Sequence, residues 1–143
     1  MFSRTCEYGI RAMIFIAQKT KNGERVGIKE IATGIDSPEA FIAKILQELG
    51  RKGLLQSQKG PSGGFYLDKP SRKNTLADIV RAIDGDRLFS SCGLGLKQCS
   101  ETHPCPIHNE FGKIRKAIKQ MLEKSKIGEF TDELEQQLLF LRR

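Results

Sequence analysis

A chain of 143 residues with 38% hydrophobic side chains can form one domain, or one domain with an added dimerisation element. No stretch approaches the ~20 apolar residues of a membrane span, and four cysteines are too few for a disulfide-stapled scaffold, so we expect a cytoplasmic protein without membrane association. The net charge is +7 and its excess is largest in residues 1–60, which suits a polyanion such as DNA, although solubility alone explains the charge slightly better.

The N-terminal part of the chain predicts three helices in close succession. Apolar residues recur on one face through residues 1–20, and Ser3 is in position to cap this first helix. A short second helix is expected at residues 28–33. The Ser37-Pro38 pair then predicts the start of a third helix, with Ser37 as the N-cap and Pro38 in the first helical position.

The third helix has two different faces. Its expected buried stripe consists of Phe41, Ile42, Ile45, Leu46 and Leu49. Its outer face, with spacings of four, three and four residues, consists of Ala40, Lys44, Gln47 and Arg51. Two short helices across a tight turn, the second with a polar outer stripe, are typical of a helix-turn-helix, so the outer face is predicted to contact DNA.

A β-hairpin is predicted directly after the third helix. Residues 54–58 and 65–67 form its strands, and the tip between them is rich in glycine. Backbone amides at Gly60 and Ser62 can approach a phosphate closely there, and Lys59 adds a positive charge. The order helix, turn, helix, hairpin predicts a mostly α-helical fold with a small hairpin as the wing of a winged helix-turn-helix.

The second half of the chain begins with a strong helix signal. Thr75 and Asp78 have the spacing of a capping box, and the inward side chains of the helix that follows are Leu76, Ile79, Val80 and Ile83. Residues 88–106 show no periodicity. We therefore divide the chain into a DNA-binding domain (residues 1–86), a cysteine segment (residues 87–106) and a dimerisation region (residues 107–143).

A long helix is predicted to follow the cysteine segment. Its apolar seam alternates spacings of four and three and consists of Ile107, Phe111, Ile114, Ile118 and Met121. Because this helix lies outside the winged domain, a second copy of the chain is the expected cover, and we predict a homodimer. A last helix is predicted at residues 131–143, with Leu134, Leu138 and Leu141 packing back.

The cysteine segment places three thiols, Cys92, Cys99 and Cys105, close to two imidazoles, His103 and His108. Thiolates are soft ligands that suit iron–sulfur clusters and zinc. The C-x6-C-x5-C spacing has no close C-x2-C pair and so fits a polynuclear cluster better than one zinc ion, which remains an alternative. A disulfide between two of the cysteines is a third.

The fourth cysteine, Cys6, falls in the predicted first helix. A free cysteine in that setting is most often a small buried hydrophobe, so we assign Cys6 to the core and not to the chemistry of the segment.

The sequence resembles the Rrf-two (Rrf2) family of winged-helix transcriptional regulators, in its iron–sulfur branch. The resemblance rests on residues 7–12 (EYGIRA), 53–55 (GLL), 59–65 (KGPSGGF) and 75–80 (TLADIV), followed by the three-cysteine segment. It implies a regulator and not an enzyme, most often a repressor, acting as a homodimer on a palindromic operator in double-stranded DNA. Members that keep three cysteines bind a two-iron or four-iron cluster.

The resemblance leaves the fourth cluster ligand open between two residues. In one branch a histidine three residues after the last cysteine serves, and His108 matches it; in another an acidic residue from the partner's first helix serves, and Glu7 matches that. Lys59 falls where members enter the minor groove, while Ala43 stands where one branch has a glutamate that discriminates between operator classes. The implied signal is nitric oxide, redox or iron status. The alternative is a cluster-free regulator on the same fold that responds to oxidants or an effector.

Overall fold

The computed structural model describes residues 1–143 as seven α-helices and one two-stranded antiparallel sheet. The elements in chain order are α1 (Arg4–Lys19), α2 (Ile28–Gly34), α3 (Glu39–Arg51), β1 (Gln56–Gln58), β2 (Gly64–Tyr66), α4 (Leu76–Asp84), α5 (Arg87–Ser90), α6 (His108–Lys124) and α7 (Thr131–Glu135). Two 3-10 turns lie at Ser71–Lys73 and Ile127–Phe130. The prediction of a winged helix-turn-helix with a long following helix is confirmed. None of the helices is both long and apolar enough to span a membrane.

Helix α1 lies at the centre of the fold, and nine of its sixteen residues are buried. It packs against α2, α3 and α4, and Met13 and Ile16 are fully buried. Ser3 caps it as predicted, since the hydroxyl accepts a hydrogen bond from the Cys6 amide at 3.0 Å. The Asp84 carboxylate accepts a second hydrogen bond from the Ser3 amide at 2.9 Å, which joins the start of α1 to the end of α4.

The start of α3 differs from the prediction at two residues. The amides of Phe41 and Ile42 both donate to the Pro38 carbonyl, so Pro38 precedes the helix and is not its first residue. Ser37 does not cap α3, because the N-cap position is occupied by Pro38; the Ser37 hydroxyl is buried without a hydrogen-bond partner, and its amide closes the turn onto the Ala32 carbonyl at 2.9 Å.

The buried stripe of α3 is confirmed except at its first member. The stripe residues inside the core are Ile42, Ile45, Leu46 and Leu49. Phe41 is 36% exposed, because it lies in the first turn beyond the covered surface, where it forms a T-shaped contact with Tyr8 with ring centroids 5.3 Å apart.

The hairpin is confirmed with shorter strands than predicted. Gln56 pairs with Tyr66 and Gln58 with Gly64, and the flanking Leu55 and Leu67 are buried outside the ladder. Val26, before α2, exchanges two backbone hydrogen bonds with Phe65 at 3.0 and 2.8 Å. These bonds attach the wing to the helix-turn-helix and fix its direction relative to α3.

Helix α4 begins with the predicted capping box. The Asp78 amide donates to the Thr75 hydroxyl, and the Thr75 amide donates to the Asp78 carboxylate at 2.8 Å. The helix ends at Gly85, whose φ of 72° is the left-handed conformation that favours glycine. The segment that followed was expected to be irregular throughout. Its first residues instead form the short helix α5, a single turn that packs against α6.

The C-terminal helix is much shorter than predicted. Helix α7 ends at Glu135, because Gln137 adopts a left-handed φ of 58° that breaks the helix. Leu141 packs against the core as expected, but Leu138 does not, and Phe140 beside it is 70% exposed. The prediction of a helix over residues 131–143 was therefore wrong after its first turn.

Candidate functional site

The cysteine segment connects α5 to α6, and its first and last thiols lie close together. Cys92 follows α5 directly and Cys105 precedes α6, and their sulfur atoms are 3.8 Å apart. Cys92 is almost fully covered. Backbone N–H groups of Leu94 and Leu96 hydrogen-bond its sulfur and lower the pKa of Cys92 below the usual value for a thiol.

The middle thiol of the segment lies beside His108, in the first turn of α6. The Cys99 sulfur is 3.5 Å from Nδ1 of His108. The His108 amide also donates to the Cys105 carbonyl at 3.0 Å, so one backbone hydrogen bond joins Cys105 to His108. Arg115, two turns further along α6, reaches the Cys99 sulfur with both terminal nitrogens at 3.4 Å.

The segment thus gathers three thiols and one imidazole as two pairs, Cys92 with Cys105 and Cys99 with His108. No group of three or more His, Cys, Asp or Glu side chains converges closely enough to hold one metal ion. Gly93 lies flat against the Phe111 ring, where a Cβ would come within 2.8 Å of the ring carbon. This contact folds the start of the segment onto α6.

The other two candidate ligands do not join the cysteines within one chain. His103 is exposed: its Nδ1 lies 3.2 Å from the Thr102 hydroxyl and its amide donates to the Ser100 hydroxyl at 3.1 Å. Glu7 is exposed on α1, beside Phe2 and Arg11, and its carboxylate forms no hydrogen bond or ion pair within the chain. It is accessible to another protomer.

Cys6 is separate from this chemistry, as its position in the first helix indicated. It is fully buried beside Val80 and Leu122. Burial, reinforced by the nearby Asp84 carboxylate, raises the pKa of Cys6 to about 12, so the thiol stays protonated and unreactive.

The outer face of α3 and the wing form one continuous exposed surface. Every candidate DNA contact on it is exposed: Ala40, Lys44, Gln47, Arg51, Lys59, Gly60 and Ser62. An open groove of about 820 Å³ runs between α3 and the hairpin, with Lys44, Gln47 and Arg51 on one wall and Ser57 and Tyr66 on the other. Its basic wall, formed by Lys44 and Arg51, suits a nucleic-acid backbone.

Arg25 contacts both strands of the wing, and this contact was not predicted from the sequence. Its guanidinium lies 3.5 Å from the centroid of the Tyr66 ring and donates to the Gln58 side chain at 3.1 Å. It also donates to the Gly23 carbonyl at 2.8 Å. A lone arginine in a loop carries no pattern, so only the fold places it against a strand some forty residues away.

The predicted seam of α6 faces two directions. Ile107, Ile114 and Met121 point away from the chain, and the last two are 56% and 50% exposed. Phe111 and Ile118 are half-buried, Phe111 against Gly93 and Ile118 against the small cluster around Leu122. An apolar stripe on a long outer helix is thereby left uncovered by the chain's own core.

Comparison with known proteins gives one consistent result. The profile of the family described as "Rrf2: Iron-dependent Transcriptional regulator" matches residues 2–133. An HTH-type transcriptional regulator of Aquifex aeolicus is 32% identical over 98% of this chain and 96% of its own length. The HTH-type transcriptional regulator NsrR of Bacillus licheniformis is 28% identical over 82% of each chain.

Solved structures agree on the fold. The global cysteine regulator CymR of B. subtilis superposes with a TM-score of 0.76 at 24% identity, over 92% of this chain and 96% of CymR. IscR of T. potens superposes with a TM-score of 0.72 at 21% identity, over 97% of this chain and 91% of IscR. At these identities the likeness concerns the fold.

Proposed function

The chain belongs to the Rrf2 family of helix-turn-helix transcriptional regulators and is not an enzyme. We propose that it is a homodimeric repressor gated by an iron–sulfur cluster. The observation that supports the proposal is the pairing of donors in the cysteine segment, Cys92 with Cys105 and Cys99 with His108, at the junction of the winged domain and α6. The signal would be nitric oxide, redox or iron status.

Residues 1–86 would form the DNA-binding domain. The exposed outer face of α3 would enter the major groove of a palindromic operator, with Lys44, Gln47 and Arg51 nearest to the bases and phosphates. The wing would place Lys59, with the backbone of Gly60 and Ser62, at the adjacent minor groove. Phosphate contacts would supply much of the affinity, so binding should fall steeply with salt.

The dimer would form through the residues of the seam, in the region 107–143. The outward members Ile107, Ile114 and Met121 would meet their counterparts in a second copy, with Phe111 and Ile118 supporting them from the chain's own side. Such a contact would set the separation of the two α3 helices, and therefore the spacing of operator half-sites.

The donor set fits a cluster better than a single ion. One zinc ion needs four converging donors, and the segment offers two separate pairs. A two-iron cluster takes two ligands on each iron, which suits such a pairing. When bound, the cluster would supply a centre that reacts with nitric oxide and oxygen.

A change between an ordered and a released cysteine segment would alter how the winged domain is presented to DNA. The segment is fixed at one end to α5 and at the other to the first turn of α6, and Gly93 packs on Phe111. An ordered segment would hold α6 in one position relative to α4, while a released one would free it. This is a shift between two conformations, driven by the difference in their affinity for the cluster.

Anaerobic purification tests the cluster and its fourth ligand together. We expect iron and acid-labile sulfide in the wild-type protein, loss of both in Cys99→Ala and His108→Ala, and retention in Glu7→Ala. Cys6→Ala is the matched cysteine control, because its thiol is fully buried in a hydrophobic cluster with Val80 and Leu122, and it should retain the cluster. Loss in Glu7→Ala with retention in His108→Ala would assign the fourth ligand to the partner's carboxylate. A wild-type protein without iron and sulfide would refute the cluster.

A cluster-free redox regulator on the same fold is the second candidate. It is favoured by one observation, the 3.8 Å separation of the Cys92 and Cys105 sulfurs, which a small movement could close to a disulfide of about 2.05 Å. It predicts that a hydroperoxide changes the operator affinity of metal-free wild-type protein but not that of metal-free Cys92→Ser.

A further inference from the structure

Arg115 makes a set of contacts that differs from those of the other basic residues on α6. Its Nη1 donates to the Ser91 carbonyl at 2.7 Å, directly before Cys92. Both terminal nitrogens reach the Cys99 sulfur at 3.4 Å. By contrast, Lys113 pairs with the carboxylate of Glu110 one turn away, as solvated helix residues commonly do.

These contacts connect two distant points of the cysteine segment to one side chain. Ser91 and Cys99 are eight residues apart, and Arg115 forms no ion pair with any carboxylate that would compete for it. A guanidinium suits this role because it is always charged and offers several N–H donors in a rigid plane. A lysine at the same position could not reach both acceptors in the same geometry.

A charged donor on a sulfur ligand also has an electronic effect. Hydrogen bonds to cluster sulfurs, and positive charge near them, withdraw electron density and favour the reduced state. The guanidinium would therefore act on the cluster as well as on the backbone of the segment.

We propose that Arg115 is a positioning residue that fixes the Ser91–Cys99 part of the segment to α6 and, through the Cys99 sulfur, raises the reduction potential of the bound cluster. The potential shift rests on the proposed function, whereas the fixing of the segment does not. The residue thereby links the sensing segment directly to the helix proposed to form the dimer.

The test compares Arg115→Gln and Arg115→Lys with Lys116→Gln. Lys116 is exposed on the same helix, so its variant removes one charge without touching the segment. Hydrogen–deuterium exchange of residues 91–99 is measured in metal-free protein, and the reduction potential is measured in anaerobically loaded protein by spectroscopic titration.

In Arg115→Gln we expect about tenfold faster exchange in residues 91–99, because charge-assisted hydrogen bonds are lost, together with a lower reduction potential. Arg115→Lys should recover part of the potential but not the slow exchange, and Lys116→Gln should match wild type in both. Unchanged exchange and unchanged potential in Arg115→Gln would overturn the proposal. If Arg115→Gln exchanges faster but the wild-type chain binds no cluster, the proposed function is refuted and Arg115 is a structural clamp only.

Discussion

Gly64, the first residue of β2, packs against the backbone of Val26. The substitution Gly64→Ala tests whether this close contact holds the wing in place. Its φ of +145° lies in a region that side chains rarely adopt. A Cβ at this position would lie 2.7 Å from the Val26 carbonyl oxygen and 3.0 Å from its carbon. Both neighbours are backbone atoms, so no side chain can rotate away to relieve the contact.

The methyl group of alanine can be accommodated in two ways, and the less costly one determines how much folding stability is lost. If the backbone keeps its conformation, alanine is strained by about 1–3 kcal/mol, before the contact with Val26 is added. If the wing moves away, the two hydrogen bonds between Val26 and Phe65 are lost, at about 1 kcal/mol each. We therefore expect a destabilisation of about 2 kcal/mol, or a fall in Tm of about 6 °C for a domain of this size.

Thermal unfolding and fluorescence anisotropy with labelled operator DNA measure the two consequences. Because the displaced wing would carry Lys59 away from the minor groove, the slope of log affinity against log salt should become shallower by about two for a dimer. Gly27→Ala is the control for the steric contact, since Gly27 has an ordinary φ of −83° and no atom near its Cβ position; because Gly27 is the N-cap of α2, its variant should lose some stability but keep the wild-type salt slope. A Gly64→Ala protein with wild-type Tm and wild-type salt slope would show that the close approach of Gly64 to Val26 does not hold the wing in place.

Three further predictions concern the dimer, the buried thiol and a helix cap. Ile114→Glu and Met121→Glu should convert the proposed dimer to a monomer in analytical ultracentrifugation, whereas Lys116→Gln on the same helix should not. A dimer in both glutamate variants would place the interface elsewhere. Native Cys6 should resist iodoacetamide up to strongly alkaline pH, because its pKa is raised from 9.0 to about 12. Since the unfolded chain ionises this thiol first, the free energy of unfolding should fall as pH rises between these values. Rapid native labelling of all four cysteines at pH 8 would contradict the prediction. Thr75→Ala should destabilise by about 1 kcal/mol in urea unfolding through loss of the capping box, and an unchanged midpoint would show that the cap contributes nothing.

The parts of the fold that follow from local chemistry were predictable from the sequence. Ser3 and the Thr75–Asp78 box satisfy helix N-termini with their own side chains, so spacing alone located them. The apolar stripe of α3 located the second helix of the helix-turn-helix in the same way. Phe41 was misplaced because periodicity shows which face a residue lies on but not how far the neighbouring elements extend to cover it.

The C-terminal region and the contacts across the chain were not predictable in this way. Leu134, Leu138 and Leu141 have a helical spacing, but the left-handed conformation of Gln137 ends α7 after little more than one turn. Arg25 and Arg115 act through neighbours that only the fold brings near, namely Tyr66 and Cys99. The sequence did indicate which donors lie in the cysteine segment, while their arrangement in pairs required the structure.

Operator affinity measured with and without the cluster is a direct test of cluster gating. A duplex selected from a random-sequence pool, once by anaerobically loaded protein and once by chelator-stripped protein, provides the DNA, and anisotropy at fixed salt gives both dissociation constants. If the cluster gates DNA binding, the dissociation constants of the loaded and stripped proteins should differ at least about tenfold on one of the selected duplexes, corresponding to about 1.4 kcal/mol of coupling. Equal affinity of the loaded and stripped dimers on both duplexes would contradict it.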